Sequence, residues 1–354
     1  MRILDRYIGR YILFGTLAAM AILMTLLGVL SLFEELGSVG KGRYTTADAF
    51  LVVLLGLPRY AYELFPATVL LGSLSGLGVL ASHSELTAMR AAGVSLERII
   101  ISVMKTGFVM MLALALLGEF VAPPSEQYAQ EMRSALIENK IAMQSKYGFW
   151  ARDGLAYVNI RNIQPGGALE GVYLYEFDEE GKLKVSTHAD NAHYQDGKWK
   201  LKGIRQTYIT NDGTQVRNYK QASWKSLIDP DLLNVVVVKP TVLPIWGLYR
   251  YISYLRDNGQ DANKYEVAFW SKVFSPMVTL AMAFLAVPFL FGSLRSVSIG
   301  QRIFVGSMIG ISFFLLNRVI SYMAVVYDMN ALVSAAFPGL LITALAIFSM
   351  RRVH

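Results

Sequence analysis

Hydrophobic positions in this chain gather into six long runs, three before and three after a polar block at 123–264. The first three cover 11–33, 64–82 and 99–122, and the last three 273–294, 303–327 and 329–350. At ~1.5 Å of rise per residue, each helix is long enough to cross a hydrocarbon core of ~30 Å. The pattern predicts an α-helical membrane protein with six transmembrane helices and one inserted domain. The expected division is 1–122, 123–264 and 265–354.

Inside the polar block the period changes. Short segments at 156–160, 171–177, 182–187, 198–202, 206–210 and 234–238 are rich in aromatic and β-branched residues. Turn signals separate them, at Asp178–Gly181, Asp196-Gly197 and Asn211-Asp-Gly213. Lys198-Trp-Lys-Leu-Lys202 alternates, which puts Trp199 and Leu201 on one face. The block therefore reads as an all-β antiparallel sandwich or jelly-roll-like sheet. Helices are expected to lead in at 125–140 and out at 248–258, where Leu248, Tyr251, Ile252 and Leu255 recur at helical spacing.

Charge then orients the molecule. The chain is 54% hydrophobic and 17% charged, with a formal charge of +7. If the spans alternate, Arg2, Arg6, Arg10, Arg90, Arg98, Lys105, Arg295, Arg302, Arg351 and Arg352 share one side. The positive-inside pattern makes that side cytoplasmic, with both termini on it and the polar block exported. Cations that border spans do not form a nucleic-acid stripe, so no nucleic-acid partner is expected. The run at 11–33 is too long for the apolar part of a cleavable signal peptide and lacks a small-residue cleavage site, which makes it a retained span.

The candidate chemistry is sparse. There is no cysteine, hence no disulfide or thiolate metal site. Of His83, His188, His193 and His354, the middle two are five apart in a strand-like stretch and fall on opposite faces, so no metal site is expected. No Walker loop occurs; Gly37-Ser-Val-Gly-Lys-Gly42 lacks its spacing and context. Zincin and nucleophile-elbow motifs are also missing. The chain is expected to be no enzyme and to need no cofactor.

One short segment between the second and third spans stands out, Ser84-Glu-Leu-Thr-Ala-Met-Arg-Ala-Ala-Gly93. Ser84 is placed to cap a helix, Leu86, Met89 and Ala92 to share one face with Glu85 and Arg90 beside them, and Gly93 to stop it. Such a helix either docks into a groove of a soluble partner or lies on the lipid interface, and its periodicity fits both.

Several phrases in order carry a wider likeness. They are Leu4-Asp-Arg-Tyr-Ile-Gly9, Ser84-Glu-Leu with Met89 and Gly93, Gly118-Glu-Phe-Val-Ala-Pro123, and Gly148-Phe-Trp-Ala-Arg-Asp-Gly154. Asn258-Gly-Gln-Asp261, Trp270-Ser-Lys272 and Phe291-Gly-Ser-Leu-Arg-Ser-Val297 complete the series. From end to end the chain resembles the LptF/LptG family of lipopolysaccharide export permeases.

That resemblance implies an ABC transporter subunit that pairs with the paralogous permease LptF above a dimer of the ATPase LptB. Together they extract lipopolysaccharide from the inner membrane and pass it to a periplasmic bridge that includes LptC, toward the outer membrane. It makes 84–93 the ATPase-coupling helix, with Ser84, Glu85, Leu86, Met89, Arg90 and Gly93 as its matching residues, and the exported block a β-jelly roll with an apolar groove for acyl chains. Some relatives carry lysines at positions matching Ser31, Gly37 and Ser38, where this chain does not.

Lipid-contact candidates follow from that implied role. Lys41 and Arg43, after the first span, are placed to meet headgroup phosphates through charge-assisted contacts. Arg59 and Glu63, four apart at the approach to the second span, form a local pair or offer a further cation. Arg318, inside the fifth span, either lines the lipid-handling cavity or ties to a carboxylate or carbonyl of a neighbouring helix. Arg302 is a further cationic candidate. Leu64, Phe65, Leu71, Ile303 and Phe314 are candidates for acyl contact. Gly72, Gly76 and Ala81 suggest close packing, and Pro66, Pro276 and Pro288 sites of kinking. The alternative function is a membrane-tethered periplasmic enzyme or binding protein, for which six spans and a docking helix are excessive.

Overall fold

The computed structural model describes residues 3–138, 149–163, 167–210, 213–224, 240, 243–291 and 299–351. In chain order the helices are α1 (Ile3–Leu36), α2 (Thr46–Ser82), α3 (Glu85–Ala91), α4 (Leu96–Leu116), a π-helical turn (Leu117–Val121) and α5 (Ala122–Glu138). After the sheet come α6 (Ile245–Asp257), α7 (Asn263–Phe291), α8 (Ile299–Val326) and α9 (Ala331–Arg351). Six helical stretches among the described residues are long and apolar enough to cross a membrane: α1, α2, α4 continued into α5, α7, α8 and α9.

α2 is the central post of the bundle, packed against α1, α5, α7 and α8. It begins well before its apolar run because Thr45 and Asp48 close a capping box: the Asp48 carboxylate accepts from Thr45 N at 2.9 Å and Thr45 Oγ1 from Asp48 N at 3.4 Å. Its 37 residues span ~55 Å, more than the hydrocarbon core requires. Pro58 and Pro66 both lie inside it. α1 crosses α2 at close range, as the small residues suggest: a side chain on Gly72 would strike the Thr16 backbone, and a Cβ on Gly76 would lie 2.5 Å from the Tyr11 carbonyl oxygen.

The third span does not stop at Pro123. α4 passes through the π turn directly into α5, so the expected lead-in helix is the continuation of the span. At the turn Gly118 faces the Tyr62 ring, and any Cβ there would enter the ring.

Strands β1 (Phe149–Asp153), β2 (Ala156–Ile163), β3 (Leu169–Phe177), β4 (Leu183–Gln195), β5 (Lys198–Thr210) and β6 (Gly213–Trp224) form one six-stranded antiparallel sheet in sequential order. The two short expected strands at 198–202 and 206–210 are a single strand, β5, while β1 and β6 are additions. The expected strand at 234–238 lies outside the described residues. Asp196 and Gly197 both adopt positive φ, 55° and 74°, the two-residue geometry whose twist matches a hairpin. Trp199 and Leu201 are buried together, as the alternation required. They share a core with Val158, Val172 and Leu174 of the sheet and with Tyr251, Ile252 and Leu255 of α6. Leu248, also expected on that face of α6, is buried beside Leu243 and Ala268.

Candidate functional site

The short helix between the second and third spans lies where α2 leaves the bundle. Ser84 adopts the left-handed conformation, φ 60°, and its side chain makes no capping bond. A capping hydroxyl needs an extended backbone to reach the first free N–H groups; Ser84 instead serves to reverse the chain from α2 into α3. Its carbonyl accepts from Ala88 N at 2.9 Å. The expected stop is present: Gly93 has φ 86°, and Gly93 N and Val94 N return to the carbonyls of Arg90 and Met89 at 3.0 Å each.

Leu86 is buried and Met89 half-buried against Ile8 of α1 and Ile99 and Val103 of α4. Ala92, expected on that face, is exposed with Thr87, Ala88 and Arg90. A helix lying on lipid would turn Leu86 and Met89 outward; here they point into the chain's own bundle and leave a small, polar face outside. Glu85 is half-buried, and its Oε2 accepts a 2.7 Å hydrogen bond from the Tyr7 hydroxyl of α1.

The start of α1 is fixed by a buried carboxylate that sequence reasoning passed over. Asp5, fully buried, accepts from Arg98 Nη2 at 2.6 Å, Ser102 Oγ at 2.7 Å and Lys105 Nζ at 2.9 Å, all on α4. Three charge-assisted donors compensate the desolvation of one carboxylate and tie α1 to α4.

At the opposite end of the bundle, the loop after α1 rests on α5. Arg43 N donates to Leu136 O at 2.8 Å, and the buried Tyr44 hydroxyl donates to Glu35 at 3.1 Å. Burial, with the Glu35 carboxylate beside it, holds the Tyr44 phenol well above its ordinary pKa, so it remains a donor. Arg133 of α5 joins the same carboxylate at 3.0 Å. The Lys41 and Arg43 side chains stand in solvent with no ion pair among the described residues.

The other lipid-contact candidates divide. Arg59 does pair with Glu63, at 3.1 Å, and also with Glu126 of α5, at 3.2 Å, so it holds two helices together. Arg302 is buried, and its Nη1 donates to Gly78 O at 3.1 Å, joining α8 to α2. Phe65 packs inward beside Val69 and Met110, Leu71 is buried, and Leu64 is half-buried. Ile303 is exposed. Arg318 is exposed on α8, its guanidinium 5.8 Å from the centre of the half-buried Phe314 ring, so it faces outward from this chain.

A second unanticipated knot sits at the π turn. Lys272 of α7 is buried; its Nζ donates to Leu243 O at 2.7 Å and lies 3.3 Å from Glu119. The same carboxylate accepts from Ile245 N, the first residue of α6, at 2.9 Å. A cavity of about 470 Å³ is lined by Arg256, Asp261, Asn263, Glu266 and Asp328, among others, whose polar groups largely bond one another. Among the described residues no group of histidines and carboxylates could hold a metal ion.

A family model described as lipopolysaccharide export system permease LptF/LptG matches residues 6–352. The chain belongs to that family. A Haemophilus influenzae relative named lipopolysaccharide export system permease protein LptG is 38% identical over 340 residues, which covers 96% of this chain and 95% of the relative. The Escherichia coli K12 protein of the same name is 34% identical, with 95% of this chain and 94% of that one covered. The paralogue LptF of the same organism is 25% identical over 216 residues, 60% of this chain and 58% of the paralogue.

The family match takes in the sheet as well as both groups of helices. As an LptF/LptG member with six membrane-length helices, the chain is a multi-pass membrane permease. Asp5, Glu119 and Lys272 all fall inside the phrases that carried the resemblance; for Glu119 and Lys272 the signal that could have found them is a charge within or at the edge of an apolar run, whereas Asp5 lies among the arginines before the first run.

Proposed function

We propose that this chain is a transmembrane subunit of an ABC transporter that extracts lipopolysaccharide from the bacterial inner membrane and passes it to a periplasmic bridge toward the outer membrane. In this reading the chain pairs with LptF, rests on a dimer of LptB that hydrolyses the ATP, and hands its cargo on through LptC. The observation that carries the coupling part is the packing of α3. Its apolar residues are taken up by the chain's own helices, which leaves Glu85 and Arg90 at the surface between two spans, where a soluble partner can reach them.

Arg6, Arg10, Arg90, Arg98, Lys105, Arg302 and Arg351 cluster toward the α3 end, which supports a cytoplasmic side there and a periplasmic side for the sheet. Residues 123–264 are then the periplasmic domain. We read its sheet as part of a jelly-roll-like trough that guides acyl chains, and Lys41 and Arg43 as the free cations at the level of the headgroup. Arg318, turned outward on α8, suits a cavity shared with the paired permease.

The alternative, an exported domain merely tethered by its spans, leaves α3 without a task. The test is co-purification. The complex of this chain with LptF is expected to retain LptB, and Glu85→Lys is expected to lose it while membrane insertion stays normal. Retention of LptB and normal export by that variant would remove the coupling claim.

A further inference from the structure

Glu85 does not choose its own orientation. Its Oε2 accepts a hydrogen bond from the Tyr7 hydroxyl at 2.7 Å, and Oε1 has no hydrogen-bond partner among the described residues. A phenol has one proton to give. That hydrogen bond goes to the carboxylate, and the Tyr11 hydroxyl lies 3.5 Å from that of Tyr7. The Tyr7 and Tyr11 rings meet edge to face with centroids 5.2 Å apart, which restricts where the Tyr7 hydroxyl can point. Beneath them Asp5 locks the same turns of α1 to α4 through Arg98, Ser102 and Lys105. The carboxylate on α3 is thus aimed by a different helix, one that is itself fixed to a third.

We propose that Tyr7 is the positioning residue for Glu85 in the joint with the ATPase, holding one carboxylate oxygen so that the other is presented to a cationic or N–H donor of that partner. The proposal rests on the coupling reading of α3 and adds α1 to the joint. A motion imposed on Glu85 by the ATPase reaches the first span through one hydrogen bond, without passing along α2.

The test is a double-mutant cycle in the assembled complex of this chain, its paralogous permease and the ATPase. Apparent affinity for the ATPase and maximal hydrolysis rate are measured for Tyr7→Phe, Glu85→Gln and the two together. Tyr7→Phe keeps the ring contact and is expected to weaken ATPase association about fivefold, as the loss of a partly screened bond to a charged group. The double variant is expected to be no worse than Glu85→Gln alone. Glu85→Asp keeps the charge but withdraws it from the phenol. It is expected to match Tyr7→Phe and not to compound with it, which preserves the test should Tyr7→Phe assemble poorly.

Normal behaviour of Tyr7→Phe beside a defective Glu85→Gln would overturn the proposal and leave the coupling reading standing. Multiplying effects in the double variant would do the same, since Tyr7 would then act independently. A normal Glu85→Gln would overturn the coupling reading and the proposal with it.

Discussion

Lys41 and Arg43 are the cations that the loop after α1 leaves in solvent, while its backbone and Tyr44 hold that loop to α5. Their charge is available without breaking any internal pair. Replacing both by glutamine in the reconstituted complex is expected to lower lipopolysaccharide-stimulated ATP hydrolysis about threefold at limiting lipid, since solvent screens exposed contacts, and to leave basal hydrolysis unchanged. Equal loss of both rates would point to faulty assembly, and no change would place the headgroup elsewhere. Arg59 and Arg302 show why such residues are hard to sort from sequence. Arg59 and Glu63 were legible as neighbours on a helix, but Glu126, 67 positions away, was not. Arg302 ends on a backbone carbonyl, which no residue type announces. Ser84 failed for a local reason: the capping pattern is legible, but the left-handed turn that joins α2 to α3 depends on how α2 ends.

Glu119 and Lys272 bind three elements, the π turn, α7 and the start of α6. Removing one member of a buried pair leaves the other charge uncompensated, at a cost of about 3 kcal/mol. Glu119→Gln keeps an oxygen for Ile245 N but strands Lys272. Its melting temperature in detergent is expected to fall by several degrees, and Glu119→Gln with Lys272→Met to recover most of the loss. A single variant that melts like the parent would show that the pair does not hold the elements together. Long apolar runs gave the helices directly, because length alone separates a span from a strand. The strands were legible where one face is buried, as at Trp199 and Leu201. They were not at β6, where Arg217, Asn218, Lys220 and Gln221 are all exposed and no alternation exists to be read.

At the scale of the whole molecule, α1 and α8 carry much of the outward apolar surface, with Phe14, Ile22 and Phe33 on one and Phe304, Ile311 and Leu315 on the other. A single chain covers neither, as suits a subunit that works among lipid and other subunits. The sheet is joined to the spans through α6, whose inner face belongs to the sheet's core and whose first residue is held by Glu119. One connected body thus runs from α3 to the sheet, the arrangement that the proposed coupling requires. The most direct test reconstitutes the chain with LptF, LptB and LptC in vesicles that contain lipopolysaccharide, and measures lipid cross-linked to a soluble periplasmic acceptor. Transfer is expected to rise with ATP and to stay at background without LptB or with Glu85→Lys. ATP-dependent transfer that persists without this chain, or an intact complex that hydrolyses ATP and transfers nothing, would contradict the account.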